Sequence, residues 1–436
     1  MTASWTVDVI ACRGSSYDVG RQLAAGFRKT PRGRAFKRRK ERKPFGFSLK
    51  NAETALTTHA PNIWEELHGL ADGLEIPLDR AVAEFSNGRL RYPARGCSAV
   101  MSGGLYGRNY DFSPGRYDRI LAAVKPDGVH ASIGFTDRFT GRDDGMNEKG
   151  LCVGLHYVNE KVWQPGLVCI LIVRIVLDQC ATTAEAVDLL RRLPHGLCFN
   201  YSLLDATGHA AVVEGSPAGV VVREGKALAC TNHFQSPDMT RFNPRNPGSK
   251  SRLGPLEAWA QERHEMTTLF ALLNASDSPV FAHAYARGGG TLHTFVCDPK
   301  TTEYIVGVGG DTDPVTLDVG AWARDDTSLP AKLEGVLGGR TAPFDAKKRR
   351  LFPTEAGSAG DSAKVFAGAN LARAAFRDVG LKDATFDNVD LGGARFDDIN
   401  FGGATITENC NFKGMTLAGV PVADLFAAYR ASKDRA

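Results

Sequence analysis

The sequence predicts an α+β fold followed by a coil of a different kind, and three observations carry that reading. Helical periodicity dominates the first part of the chain, strand pairs joined by glycine-containing turns recur from Cys97 onward, and a strict five-residue period takes over near the C-terminus. At 436 residues, 43% of them hydrophobic, the chain has room for two or three domains and one large core, taking roughly 100–200 residues per domain.

An opening strand, WTVDVIACRG, leads into a region that reads as helical up to residue 96. Ser15 and Ser16 are good caps for YDVGRQLAAGF. Ile63, Trp64, Leu67, Leu70, Ala71 and Leu74 recur at steps of three and four, which gives one apolar face, and Pro77 starts a third segment, PLDRAVAEFSN. From Cys97 the texture changes to hairpins. CSAVM and LYGRNYDF are separated by SGG, YSLLD and HAAVVEG by ATG, GVVV and ALACTN by REGK, and LHTFVCD and EYIVGVG by PKTT. Alternating strands with such turns argue for antiparallel sheet. Between the first two hairpins TTAEAVDLLRRLP has caps, an apolar face and a terminal proline. Helices therefore alternate with the sheet, and an α+β sandwich follows.

Residues 321–362, including EAGSAGDSA, read as a linker rich in Gly, Ala, Ser and charge. Beyond it Phe366, Leu371, Phe376, Leu381, Phe386, Leu391, Phe396, Phe401 and Ile406 stand five apart, with small or branched residues near them. A five-residue step turns an α-helical side chain by about 140°, so these positions share no helical face. The period asks for a square coil with one repeat per side. It resembles the pentapeptide-repeat family, which implies a short right-handed quadrilateral β-helix over 363–420 and a capping helix over 421–436. Some members of that family imitate nucleic acid by being acidic; Lys364 to Lys413 holds six basic and seven acidic residues, which favours a structural or docking module instead.

Composition narrows the function classes. Nine cysteines form no CxxC pair and no repeated spacing, which argues against a disulfide framework and a zinc site and for a reducing, cytoplasmic setting. The basic run from Arg28 to Lys43 holds ten basic residues and one acidic; set apart from the chain's 53 and 49, it leaves 43 basic and 48 acidic residues. Nothing beside it supports base stacking or groove binding, so it reads as a solvated helix or loop rather than a nucleic-acid patch. The longest apolar run, from Gly166, meets Arg174 far short of the ~20 residues of a membrane span. No nucleic-acid partner, membrane, metal or cofactor is expected.

The stretch RGCSAVMSGGLYGRNYDF, residues 95–112, concentrates the chemistry. Most free cysteines are small buried hydrophobes, yet Arg, Asn and Asp crowd the strand that follows this one. With a turn at Ser102 to Gly104, Cys97 faces Asn109 and Asp111 lies diagonally on the same face; with a two-residue turn at Gly103 and Gly104, Arg108 joins that face instead. Either register surrounds the thiol with charge.

RGCSAV and GRNYDF, then DGMNEKGLCVGLHY and ACTNHF, resemble the choloylglycine hydrolase and isopenicillin N acyltransferase superfamily of linear amide hydrolases, over about residues 1 to 310. The resemblance implies a four-layer αββα N-terminal nucleophile hydrolase sandwich. It implies a precursor that cuts itself between Gly96 and Cys97, leaving 1–96 as an alpha chain that completes the 97–320 catalytic domain. Cys97 would then carry both thiol and α-amine, whose reference pKa of about 7.7–8.0 suits a base. Asp111 matches the aspartate beside that amine, Asn232 the oxyanion-hole asparagine, and Arg108 the arginine of the bile-salt branch. His156 stands where relatives have asparagine, as a pocket-lining or packed residue, and Arg287 sits near the acyltransferase's Ser-Arg pair, with Ala286 replacing the serine. His233, beside Asn232, is the natural partner of an uncut Cys-His enzyme.

The expected activity is cleavage of the amide of an acylated small molecule through a thioester on Cys97. Acyl transfer to an amine, as in the 6-aminopenicillanic acid acyltransferase, is the alternative; a non-catalytic binding protein working through its repeat coil is the third reading. A homo-oligomer is left open.

Overall fold

The computed structural model describes residues 3–36, 48–86, 96–159, 161–244, 246–285, 289–338, 412, 414–417 and 420–433. The chain divides into two compact units, Met1–Val379 and Gly380–Ala436.

In the first unit the strands run β1 (Ala3–Gly14), β2 (Cys97–Ser102), β3 (Leu105–Phe112), β4 (Ile120–Pro126), β5 (Ser132–Asp137), β6 (Gly141–Arg142), β7 (Asp144–Asn147) and β8 (Cys152–Asn159). They continue with β9 (Cys198–Leu204), β10 (Ala210–Ser216), β11 (Gly219–Gly225), β12 (Leu228–Cys230), β13 (Gly290–Asp298), β14 (Glu303–Val308), β15 (Val315–Asp318) and β16 (Lys332–Leu337). The helices are α1 (Ser16–Lys29), α2 (Pro31–Phe36), α3 (Leu49–His59), α4 (Pro61–Leu74), α5 (Leu78–Phe85), α6 (Cys169–Gln179), α7 (Thr183–Arg192), α8 (Pro247–Ala260), α9 (Met266–Asn274) and α10 (Val319–Ala323). One sheet has the order β11-β10-β9-β8-β7-β5-β4-β1-β16, with β6 on β5; the other has the order β12-β2-β3-β13-β14-β15.

Local chemistry accounts for the main elements. Ser15 caps α1 through the Asp18 amide. Pro61 opens α4, whose Ile63, Leu67, Leu70, Ala71 and Leu74 are buried. Thr182 and Glu185 close a capping box on α7. The apolar run from Gly166 leads into α6, which starts at Cys169 and is buried almost throughout, with Arg174 tied to Glu66 of α4 and to Asp178.

The sheets lie face to face. β2 contacts β8, while α8 packs on β2 and β12 and α9 on β13, β3 and β14. On the other side α1 packs on β1, α6 on β6 and β8, and α7 on β10. Helices thus cover the outer faces of a pair of sheets, a mixed α+β architecture.

Two expectations need correction. GVVV and ALACTN do not form a hairpin: β11 pairs with β10 in the larger sheet, whereas β12 crosses to the smaller one and pairs with β2, Ala229 opposite Val100. Alternation identifies strands but not the sheet that takes them. The expected linker at 321–362 also starts too early, because Lys332–Leu337 is a strand, antiparallel to β1 from Ala3↔Leu337 to Asp8↔Lys332. Residues 339–362 lie outside the described residues.

In the second unit Thr416–Leu417 pairs with Val420–Pro421, and α11 (Val422–Lys433) follows, Phe426 packing edge-on to Phe412. The expected repeat coil at 363–420 otherwise lies outside the described residues.

Candidate active site

The site begins with a turn. Gly103 and Gly104 have φ of +57° and +89°, the left-handed pair a two-residue hairpin turn needs. Ser102 therefore pairs with Leu105 and Cys97 with Tyr110. Of the two registers open from sequence, this one puts Arg108, opposite Ala99, on the thiol's face of the sheet. Asn109 and Asp111 point to the other face. Asn109 is spent there on structure, donating to the Leu273 carbonyl and accepting from Thr294.

Arg108 is fully buried and reaches across the gap between the sheets. Its Nε donates to Asp144 Oδ2 at 2.7 Å and its Nη2 to the Leu155 carbonyl at 2.7 Å, while Nη1 lies 3.4 Å from His156 Nε2. Asp144 Oδ2 also meets His293 Nε2 at 2.9 Å. Burial works against the Asp144 charge, but His293 and Arg108 hold its pKa below the usual carboxylate range. The Cys97 thiol, 4% exposed, is pushed up by burial, with Arg108 pulling the other way and Asp111 adding to the rise. In the uncut chain it is a protonated thiol.

β12 delivers the second side of the site. Two residues after the end of β12, Asn232 Oδ1 accepts the Cys97 amide at 2.6 Å and Arg252 Nη2 at 2.9 Å. Both lone pairs of that oxygen are used, which fixes the amide and leaves Asn232 Nδ2, fully buried, without a partner.

Arg252 is the residue the sequence reading passes over. From α8 its Nη1 donates to the Cys97 carbonyl at 2.9 Å and to Ser98 Oγ at 2.7 Å, and lies 3.8 Å from Asp111 Oδ2. Arg287 lies outside the described residues.

Asp111 holds the chain just before Cys97. Its amide donates to the Gly96 carbonyl at 3.1 Å, and its Oδ1 accepts from Thr291 Oγ1 at 2.7 Å. Burial pushes its pKa up to about 6, against Arg252, Thr291 and Arg108. A Cβ at Gly96 would lie 2.5 Å from Arg252 Nη2 and 2.7 Å from Asp111 Oδ2, so a side chain there would displace the groups that hold Cys97 and Asn232.

His156 is buried, its Nε2 2.8 Å from Ser202 Oγ and its Nδ1 unpartnered. Burial, then Arg108, holds its pKa well below the usual range, so the ring is neutral. His233 is engaged elsewhere, its Nδ1 2.7 Å from Ser249 Oγ.

The arrangement therefore brings Cys97, Arg108, Asp111 and Asn232 together, adds Arg252, and keeps His156 at the inter-sheet side. Among the described residues no group of His, Cys, Asp or Glu side chains could hold a metal ion, and no helix is long and apolar enough to cross a membrane.

Residues 100–312 match the family model described as acyl-coenzyme A:6-aminopenicillanic acid acyl-transferase. The match begins just after Cys97 and takes in Arg108, Asp111, His156, Asn232 and Arg252. Residues 365–416 match pentapeptide repeats in nine copies. No curated protein matches the chain. Similar solved structures include a mutant conjugated bile acid hydrolase from Clostridium perfringens, 15% identical over 51% of this chain and 92% of that one, TM-score 0.36. Penicillin V acylase from Agrobacterium tumefaciens is 17% identical over 51% and 86%, TM-score 0.29. The Caenorhabditis elegans ortholog of N-acylethanolamine-hydrolyzing acid amidase is 14% identical over 47% and 93%, TM-score 0.33.

Proposed function

From the match of residues 100–312 to the acyl-coenzyme A:6-aminopenicillanic acid acyl-transferase family model, we propose that this chain is a self-processing cysteine amidohydrolase acting on the linear amide of an acylated small molecule. The observation that carries the reading is the single cluster at the proposed cut: Asn232 accepts the Cys97 amide, the Asp111 amide donates to the Gly96 carbonyl, and Arg252 holds the Cys97 carbonyl.

Maturation comes first. Cys97 Sγ attacks the Gly96 carbonyl carbon, and the Asp111 amide already donates to the oxygen that becomes the oxyanion. The thiol's proton passes to the Cys97 nitrogen as the carbon–nitrogen bond breaks, leaving a thioester and a free α-amine; water then releases the Gly96 carboxylate and restores the thiol. Residues 1–96 become the alpha chain and the rest the beta chain.

In turnover the new α-amine takes the thiol proton. Arg108, on the thiol's face, favours the thiolate. The sulfur attacks the substrate carbonyl, and the unpartnered Asn232 Nδ2 is the donor for the oxyanion, an interaction worth on the order of 3–4 kcal/mol in the transition state. The nitrogen leaves with the proton from the α-amine, and water resolves the thioester. Arg252 holds the Cys97 carbonyl and the Asn232 oxygen throughout, and His156 lines the acyl side. The family match favours a second reading, in which an amine rather than water takes the acyl group. The repeat segment serves as a structural or docking module, and the protein works in the cytoplasm.

Intact-mass measurement of purified protein tests this. A chain beginning at Cys97 is expected, and Cys97→Ala should stay whole and inactive on a panel of chromogenic acyl amides, run with and without an amine acceptor. Wild-type protein that is uncut yet fully active would overturn the N-terminal amine mechanism.

A further inference from the structure

Asn232 offers its oxyanion donor from a segment that must itself be held still. One helix does this from two sides. Arg252, in the second turn of α8, fixes the Asn232 side-chain oxygen, and Ser249, in the first turn, fixes its main chain: Asn232 N donates to Ser249 Oγ at 2.7 Å. Ser249 is fully buried, and its own amide is satisfied by Asn246 Oδ1 at 3.1 Å. Its hydroxyl belongs to a three-membered cluster, 2.7 Å from His233 Nδ1 and 3.0 Å from Thr231 Oγ1.

Burial, then Lys250, Arg223 and Arg252, holds the His233 pKa below its usual value, so the ring is neutral. His233 Nδ1 lies within reach of both hydroxyls, 2.7 Å from Ser249 Oγ and 3.2 Å from Thr231 Oγ1, and Ser249 Oγ can also donate to Thr231 Oγ1, so the ring and Thr231 together hold the serine hydroxyl while its oxygen accepts the Asn232 amide. His233 is thereby committed to a serine, not to Cys97.

Resting on the amidohydrolase reading above, we infer that Ser249 and His233 are positioning residues for Asn232: the serine, oriented by the histidine, holds the asparagine's main chain so that Nδ2 stays aimed at the developing oxyanion. Their effect should appear only in steps that make an oxyanion.

Two Cys97 reactions on the full-length protein separate that from general damage. Acylation by 4-nitrophenyl phenylacetate passes through an oxyanion; alkylation by iodoacetamide does not. Both are followed by the mass of the Cys97 peptide. Ser249→Ala is expected to slow acylation on the order of tenfold, the loss of one buried hydrogen bond, with alkylation unchanged. Ser249→Thr should restore acylation, and His233→Ala should slow it about threefold by leaving the hydroxyl held by Thr231 alone. Unchanged acylation in Ser249→Ala, or acylation and alkylation falling together, overturns the positioning role while the wild-type reaction stands. Wild-type protein that 4-nitrophenyl phenylacetate does not acylate at Cys97 overturns the amidohydrolase reading, and the inference with it.

Discussion

Asp111 couples the site to stability in a direction opposite to most carboxylates. Folded, its pKa is raised from the ordinary 3.8 to about 6, chiefly by burial. It binds its proton more tightly in the native than in the unfolded state, so its contribution is fully present below pH 3.8 and is lost as pH rises through about 6. The shift corresponds to about 3 kcal/mol in total, at 1.36 kcal/mol per unit, of which roughly two-thirds falls between pH 4.5 and 7. Asparagine at this position titrates nowhere in that range. The comparison is made in a Cys97→Ala parent, which keeps the chain whole, with and without Asp111→Asn. Urea denaturation at several pH values gives the difference in unfolding free energy, in which every other titrating group cancels. The Asp111→Asn protein should gain about 2 kcal/mol on its parent between pH 4.5 and 7. Parallel profiles across that window would refute the claim that a buried carboxyl is held against its preference beside the scissile peptide.

Gly96→Ala should leave most of the chain uncut on a denaturing gel, because the added methyl drives into Arg252 and Asp111; maturation at the wild-type rate would contradict that packing. Arg174→Met strands two buried carboxylates, Glu66 and Asp178, and should cost about 3–5 kcal/mol in urea denaturation. Arg252→Lys keeps the charge but loses the fork that spans Cys97, Ser98 and Asn232, so acylation of Cys97 should fall on the order of 10²-fold with little change in midpoint of unfolding.

Much of this was legible in the chain itself. Glycine-containing turns marked the β2–β3 hairpin, and the crowding of Arg108 and Asp111 after Cys97 marked the site. The hairpin register was not legible, since turns of two and three residues both suit SGG; the positive φ of both central glycines decides it. The crossing of β12 was hidden because a strand's alternation carries no record of which sheet receives it, and that crossing brings Asn232 to Cys97. Arg252 escaped because α8, PGSKSRLGPLEAWA, holds two prolines and two glycines and reads as a loop. β16 escaped because Lys332–Leu337 is an edge strand with one buried residue, in a stretch of mixed charge and glycine.

β1 makes the proposed cut a change of bookkeeping more than of shape. Its hydrogen bonds run to β4 on one side and β16 on the other, both from the far side of residue 96, so opening the Gly96–Cys97 bond converts one chain into two that already share the interior of a sheet. Such a pair forms without any bimolecular encounter and does not come apart on dilution, since separation requires tearing the sheet. The two chains of one molecule should therefore stay together at any concentration, and two pieces separated by denaturant face an assembly problem that the precursor never meets.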